Sequence, residues 1–93
     1  MLLLYFDNSH LVDNHIQKLQ NKIMVEQSLK RIGNNIRSAR KSKNLSQEKL
    51  AELVGVSRNY IGMIERAEAN VPTKTLIEIA FALNVHPKIF FEY

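Results

Sequence analysis

The side chains best equipped for chemistry fall in one block, Gln47-Glu-Lys-Leu-Ala-Glu-Leu-Val-Gly-Val-Ser-Arg-Asn-Tyr-Ile-Gly-Met-Ile-Glu-Arg66, and that chemistry is hydrogen bonding rather than bond breaking. Arg58 carries a planar guanidinium whose paired donors match the O6 and N7 acceptors of guanine, worth about 1–3 kcal/mol of discrimination between bases. Asn59 offers the donor–acceptor pair that an adenine edge takes, and it suits a phosphate oxygen equally well. Met63, one turn further on, has an apolar tip that could meet a thymine methyl or simply pack on the surface. Catalysis has no comparable foothold. The three histidines, His10, His15 and His86, are scattered, and the first two fall off a shared helical face, so they make no metal site. There is no cysteine, no nucleophile–base pairing and no glycine-rich phosphate loop. These absences predict a protein that is not an enzyme and uses no cofactor or metal.

Charge narrows the choice of partner. The chain carries a net +4, but the segment 30–66 alone holds nine basic residues against three acidic ones. A basic block in a near-neutral frame is the footprint expected for a polyanion such as double-stranded DNA, although a plain solvated helical face also produces such clusters. At 93 residues the chain has room for one compact domain, and 45% hydrophobic content supplies a core. A chain of this size buries only about 60–65% of its unfolded surface, so association with a second copy would help it. The apolar run Leu2 to Phe6 is too short for a signal peptide or a membrane span. With the lack of cysteine, this predicts a soluble, cytoplasmic protein with no membrane partner.

The elements that must position these side chains are helices, since apolar residues recur at three- and four-residue steps and strand-like alternation is nearly absent. Five helices are predicted after residue 28, an all-α fold. The first spans 28–41, with Leu29, Ile32, Ile36 and Ala39 as its stripe. Ser46 caps a second over 47–54, which Gly55 ends in a left-handed conformation. Ser57 caps a third over 58–66, with Tyr60, Ile61 and Ile64 inward. Thr73 caps a fourth over 74–83, with Leu76, Ile79, Ala80 and Leu83 as its stripe. Pro87 opens a short last helix holding Ile89, Phe90 and Phe91. Residues 1–27 form an N-terminal extension: a hydrophobic 1–6 arm, then an amphipathic helix over about 10–25 carrying Ile16, Leu19 and Ile23. Such an extension is expected to pack on something.

Two short helices joined by a tight turn must cross steeply and share a small core. Leu50 and Val54 face the following element, Ala51 is small enough to let it approach, Gly55 takes the turn without steric cost, and Val56, Ile61 and Ile64 close the far side. These residues resemble the phage-repressor and Cro-like (XRE) helix-turn-helix family. The resemblance runs from Ile32-Gly33 through Ser46-Gln47, Leu50-Ala51, Gly55-Val56-Ser57, Ile64-Glu65-Arg66 and Thr75-Leu76 to Ala82-Leu83-Asn84-Val85. The stretch Arg58-Asn-Tyr-Ile-Gly, with Ile64-Glu-Arg66 and Asn70, is similar to the controller proteins of restriction–modification systems.

The resemblance implies a five-helix phage-repressor-like domain over 28–93, acting as a transcriptional regulator. Its third helix would lie in the major groove with Arg58, Asn59 and Met63 at base edges. Gln47 would hold a phosphate at the start of the second helix, and Tyr60, Arg66, Asn70 and Lys74 would touch the DNA backbone. Arg40 and Glu65 match the family's buried ion pair. Two residues depart from the pattern. Ala67 stands where the family usually has glycine, which predicts a third helix running past its usual end. Gly62 lies inside the recognition helix, where it weakens helicity.

One recognition helix touches few bases, and a symmetric dimer on a palindromic operator remedies this. Ile89, Phe90, Phe91 and Tyr93 are more aromatic than a small core requires and resemble the family's last-helix interface. Activation of transcription would add RNA polymerase as a partner. A competing reading is an antitoxin or similar interaction module whose extension binds a protein partner.

Overall fold

The computed structural model describes residues 14–93, so the 1–6 arm and the start of the 10–25 helix lie outside the described residues. All regular structure among the described residues is helical: α1 (Asn14–Ser42), α2 (Gln47–Val54), α3 (Arg58–Glu65), α4 (Thr73–Leu83) and a final 3-10 helix (Pro87–Phe91). Among the described residues there are thus four α-helices rather than five. The last element is too short after Pro87 to propagate four-residue hydrogen bonds, and it closes instead on three-residue ones, from Ile89 to His86 and from Glu92 to Ile89. No helix among the described residues is long and apolar enough to cross a membrane.

The helix expected to begin at residue 28 begins at Asn14 and runs unbroken to Ser42. Neither glycine nor proline interrupts it before Gly33, and the intervening residues are mostly good helix formers. Residues 14–28 of this helix are exposed throughout.

The caps of the central hairpin follow the sequence. Ser46 Oγ accepts from the Lys49 amide at 2.9 Å and Ser57 Oγ from the Tyr60 amide at 3.0 Å. Gly55 takes φ 85° between the two helices. Two other ends depart from expectation. Thr73 is the first helical residue of α4, and the cap position belongs to Pro72, which makes no side-chain capping bond. The third helix also stops at Glu65 instead of extending, and Ala67 adopts φ 60°. The Glu68 amide then bonds back to the Met63 carbonyl at 2.7 Å, satisfying a helix-end acceptor while the chain turns toward α4.

One core joins all five elements: Ile36 and Ala39 from α1, Leu50 and Ala51 from α2, Ile61 and Ile64 from α3, the α4 stripe Leu76, Ile79, Ala80 and Leu83, and Phe90. Gly33 sets how closely α1 lies on the end of α3. A Cβ there would stand 2.6 Å from the Glu65 carbonyl oxygen and 2.7 Å from that of Ile64.

Candidate nucleic-acid interface

Helix α3 buries Ile61 and Ile64 and thereby turns the opposite side of its first turn outward, so Arg58 and Asn59 are both exposed. Arg58 forms no ion pair among the described residues. Asn59 donates from Nδ2 to the sulfur of Met63 at 3.6 Å, so these two side chains share one ridge one turn long. Met63 itself is half-buried. The ring of Tyr60 packs against the core while its hydroxyl donates to the Asn70 carbonyl at 3.4 Å, tying α3 to the loop that precedes α4.

The helix is held in register by a polar network at its far end. Arg40 donates from Nε to Glu65 Oε2 at 2.7 Å, from Nη2 to Oε1 at 3.0 Å, and from Nη1 to the Leu45 carbonyl at 2.7 Å. Both ionic partners are buried. Gln47 adds a third bond, donating from Nε2 to Glu65 Oε1 at 3.0 Å. One carboxylate therefore joins the C-terminal part of α1, the start of α2 and the last residue of α3. Such fork-to-fork pairing fixes orientation as well as distance.

Above this network opens a cleft of about 350 Å³ lined by Arg37, Arg40, Gln47, Glu65 and Arg66. Arg66 is exposed and donates to Glu68 at 3.1 Å; that bond and the neighbouring carboxylate charge hold its guanidinium above its usual pKa. A Cβ at Gly62 would lie 2.9 Å from Arg66 Nη1, the movable end of an exposed side chain, and at an ordinary contact distance of 3.6 Å from Gln47 Oε1. Asn70 is exposed, and so is Lys74, which lies 3.4 Å from Glu78. Arg37, on the rim of the cleft, was not singled out by type or motif. The signal was its place one turn before Arg40 on the basic end of α1.

The residues assigned to the last-helix surface separate. Phe90 is completely buried and completes the core, so its ring is not free for a partner. A 3-10 helix has three residues per turn, which sets Phe90 above Pro87 on one side and sends its neighbour elsewhere. Ile89 is half-buried against the core. Phe91 and Tyr93 point outward, with exposures of 55% and 95%. Ile77 and Phe81, one turn apart on α4, are also exposed and were missed, because the inward stripe of that helix accounts for its periodicity without them.

The helix-turn-helix family model (HTH_3) matches residues 36–90, which hold the hairpin, the ion pair and the closing 3-10 helix. The chain belongs to the helix-turn-helix family. Among its relatives, the control protein C.SmaI of Serratia marcescens is 52% identical over 59 residues, covering 62% of this chain and 70% of that one. The control protein C.BamHI of Bacillus amyloliquefaciens is 42% identical over 62 residues, covering 66% and 76%. The crystal structure of the restriction-modification controller protein C.AhdI from Aeromonas hydrophila superposes with a TM-score of 0.69 at 38% identity, covering 71% of this chain and 96% of that one. The protein is a helix-turn-helix transcriptional regulator of the XRE type, close in sequence and fold to these control proteins.

Proposed function

We propose that the protein is a homodimeric regulator that reads a palindromic operator, in the manner of a restriction–modification controller. The observation that carries this is the placement of Arg58 and Asn59, unobstructed at the start of a helix whose inner face and far end are locked by the core and by Glu65. With α3 in the major groove, Arg58 donates to a guanine edge and Asn59 to a neighbouring base or phosphate. Met63, held against Asn59, supplies an apolar contact beside them. The start of α2 with Gln47, together with Tyr60, Arg66, Asn70 and Lys74, grips the phosphates on either side. Arg37 joins this set from the rim of the cleft.

The partner surface is the one that keeps Phe91 and Tyr93 exposed, and two copies related by a two-fold axis would set their α3 helices one turn of DNA apart. This work needs no cofactor and no catalytic step, and it belongs in the cytoplasm where the DNA is. Where the operator lies decides repression or activation, and activation adds a contact to RNA polymerase.

The test is selection of bound duplexes from a random pool at one fixed salt concentration, using the unaltered chain and Arg58→Ala. A palindromic consensus containing a guanine that the variant no longer selects is the expected result. No enriched sequence, or the same one from both proteins, overturns the specificity and Arg58 as its reader.

A further inference from the structure

A carboxamide can meet a base in either of two ways, because its two ends are alike in size and opposite in hydrogen-bonding character. Turned one way it presents N–H donors, which suit the O6 and N7 of guanine or the O4 of thymine. Turned the other way it presents its oxygen, which needs an amino group, N6 of adenine or N4 of cytosine. A freely turning Asn59 at the start of α3 would therefore separate these two classes of base poorly.

Asn59 is not free to turn. Its Nδ2 donates to the Met63 sulfur at 3.6 Å. The two residues are one helical turn apart, the spacing at which side chains on a helix meet. Met63 is half-buried and Asn59 exposed, so the thioether is the anchored partner and the carboxamide the one that adjusts. Because Met63 follows Asn59 in the helix, the nitrogen is drawn along α3 toward its C-terminal end. Oδ1 is thereby turned the other way, toward the first turn that Arg58 occupies, and it accepts no hydrogen bond from the described residues. The backbone that carries the pair is fixed as well, by the Ser57 cap on the Tyr60 amide at 3.0 Å and by the buried Ile61.

We propose that Met63 is a positioning residue for base reading: its sulfur holds the Asn59 carboxamide with the oxygen outward, so that Asn59 selects an amino-bearing base beside the guanine read by Arg58. Adenine fits best, since the second Nδ2 hydrogen remains to donate to N7 while Oδ1 accepts from N6. The inference rests on the reading of α3 as the recognition helix. To that reading it adds the class of base taken at a second operator position and the residue that sets it.

The test extends the selection from a random pool to Asn59→Ala, Met63→Leu, and Met63→Leu combined with Asn59→Asp. Leucine keeps the size and apolar character of methionine and removes the acceptor. The Asn59→Ala pool marks the position that Asn59 reads, as the one whose preference disappears. There the unaltered chain is expected to favour adenine over guanine or thymine by about tenfold or more, measured by fluorescence anisotropy on single-base variants of the selected duplex. Met63→Leu should cut that ratio to about a third or less of its value, with the guanine of Arg58 still selected and the circular dichroism unchanged. The double variant, whose carboxylate is an acceptor whichever way it turns, should regain a preference for an amino-bearing base, now cytosine. Lost packing alone gives no such rescue. Three outcomes overturn the positioning role and leave Arg58 as a reader: guanine or thymine favoured by the unaltered chain, an unchanged ratio in Met63→Leu, or no position altered by Asn59→Ala. An unaltered chain that selects no guanine for Arg58 overturns both readings.

Discussion

Arg66, proposed above as a backbone contact, shares its guanidinium with the Glu68 carboxylate. They lie 3.1 Å apart at the mouth of the cleft, and the Glu68 charge occupies the guanidinium that a phosphate would otherwise engage. Glu68→Gln is expected to tighten operator binding several-fold at low salt. It should also steepen the dependence of log affinity on log salt concentration by up to about one unit, as one more phosphate contact would. A titration followed by fluorescence anisotropy at several salt concentrations measures both; an unchanged slope would remove Arg66 from the backbone contacts. Residue types alone pointed to Arg58 and Asn59, because a guanidinium and a carboxamide after a capping serine have a chemistry that can be named. Arg37 has the same charge as its neighbours on α1, and only the closure of α1 over α2 and α3 distinguishes it.

At the scale of elements, two positions show local preference and packing pulling in opposite directions. Gly33 is a poor helix former in the middle of α1, so alanine should favour the isolated helix by about 1 kcal/mol. In the folded protein its Cβ would collide with two backbone carbonyls of α3, and backbone cannot rotate away as a side chain can. Gly33→Ala is therefore expected to destabilise by about 1–3 kcal/mol, read by urea denaturation. Ala67→Gly should move the other way. Alanine at φ 60° is strained, and glycine there should stabilise by about 0.5–1 kcal/mol after its greater unfolded-state freedom is allowed for. A neutral result would mean that the turn after α3 relaxes without help. The stripes, the serine caps and Gly55 were legible in the sequence because each is a local rule satisfied within one or two turns. The end of α3 was not, since the turn toward α4 imposes a left-handed residue that alanine would not choose.

On the scale of the whole molecule, Glu65 is the point at which three helices depend on one another. Glu65→Gln leaves the buried Arg40 guanidinium without a counter-charge, and such a loss costs about 3–5 kcal/mol. For a domain of this size that corresponds to a fall in Tm on the order of 15 °C or more. Pairing Arg40→Met with Glu65→Leu should recover most of it, because no uncompensated charge then remains buried. Thermal denaturation of the three proteins checks the sign. If Glu65→Gln alone is neutral, the network orients α3 without stabilising the fold.

Taken by itself, the sequence determined that the chain is helical, where the helices after residue 46 sit to within a residue or two, that Gly55 and the two serines make a helix-turn-helix, and that Arg58 and Asn59 open its second helix. These follow from spacing and capping, which act over a few residues. Tertiary structure decided three other matters. It made α1 continuous through residue 28 and left Ile16, Leu19 and Ile23 exposed, because whether an apolar face is covered depends on what lies beside it in space. It sent Phe90 into the core and Phe91 and Tyr93 out, because the three-residue turn that closes the chain sets their directions. It also gathered Arg37, Gln47 and Arg66 around one cleft above Glu65, an arrangement of residues far apart in the chain that no local pattern encodes.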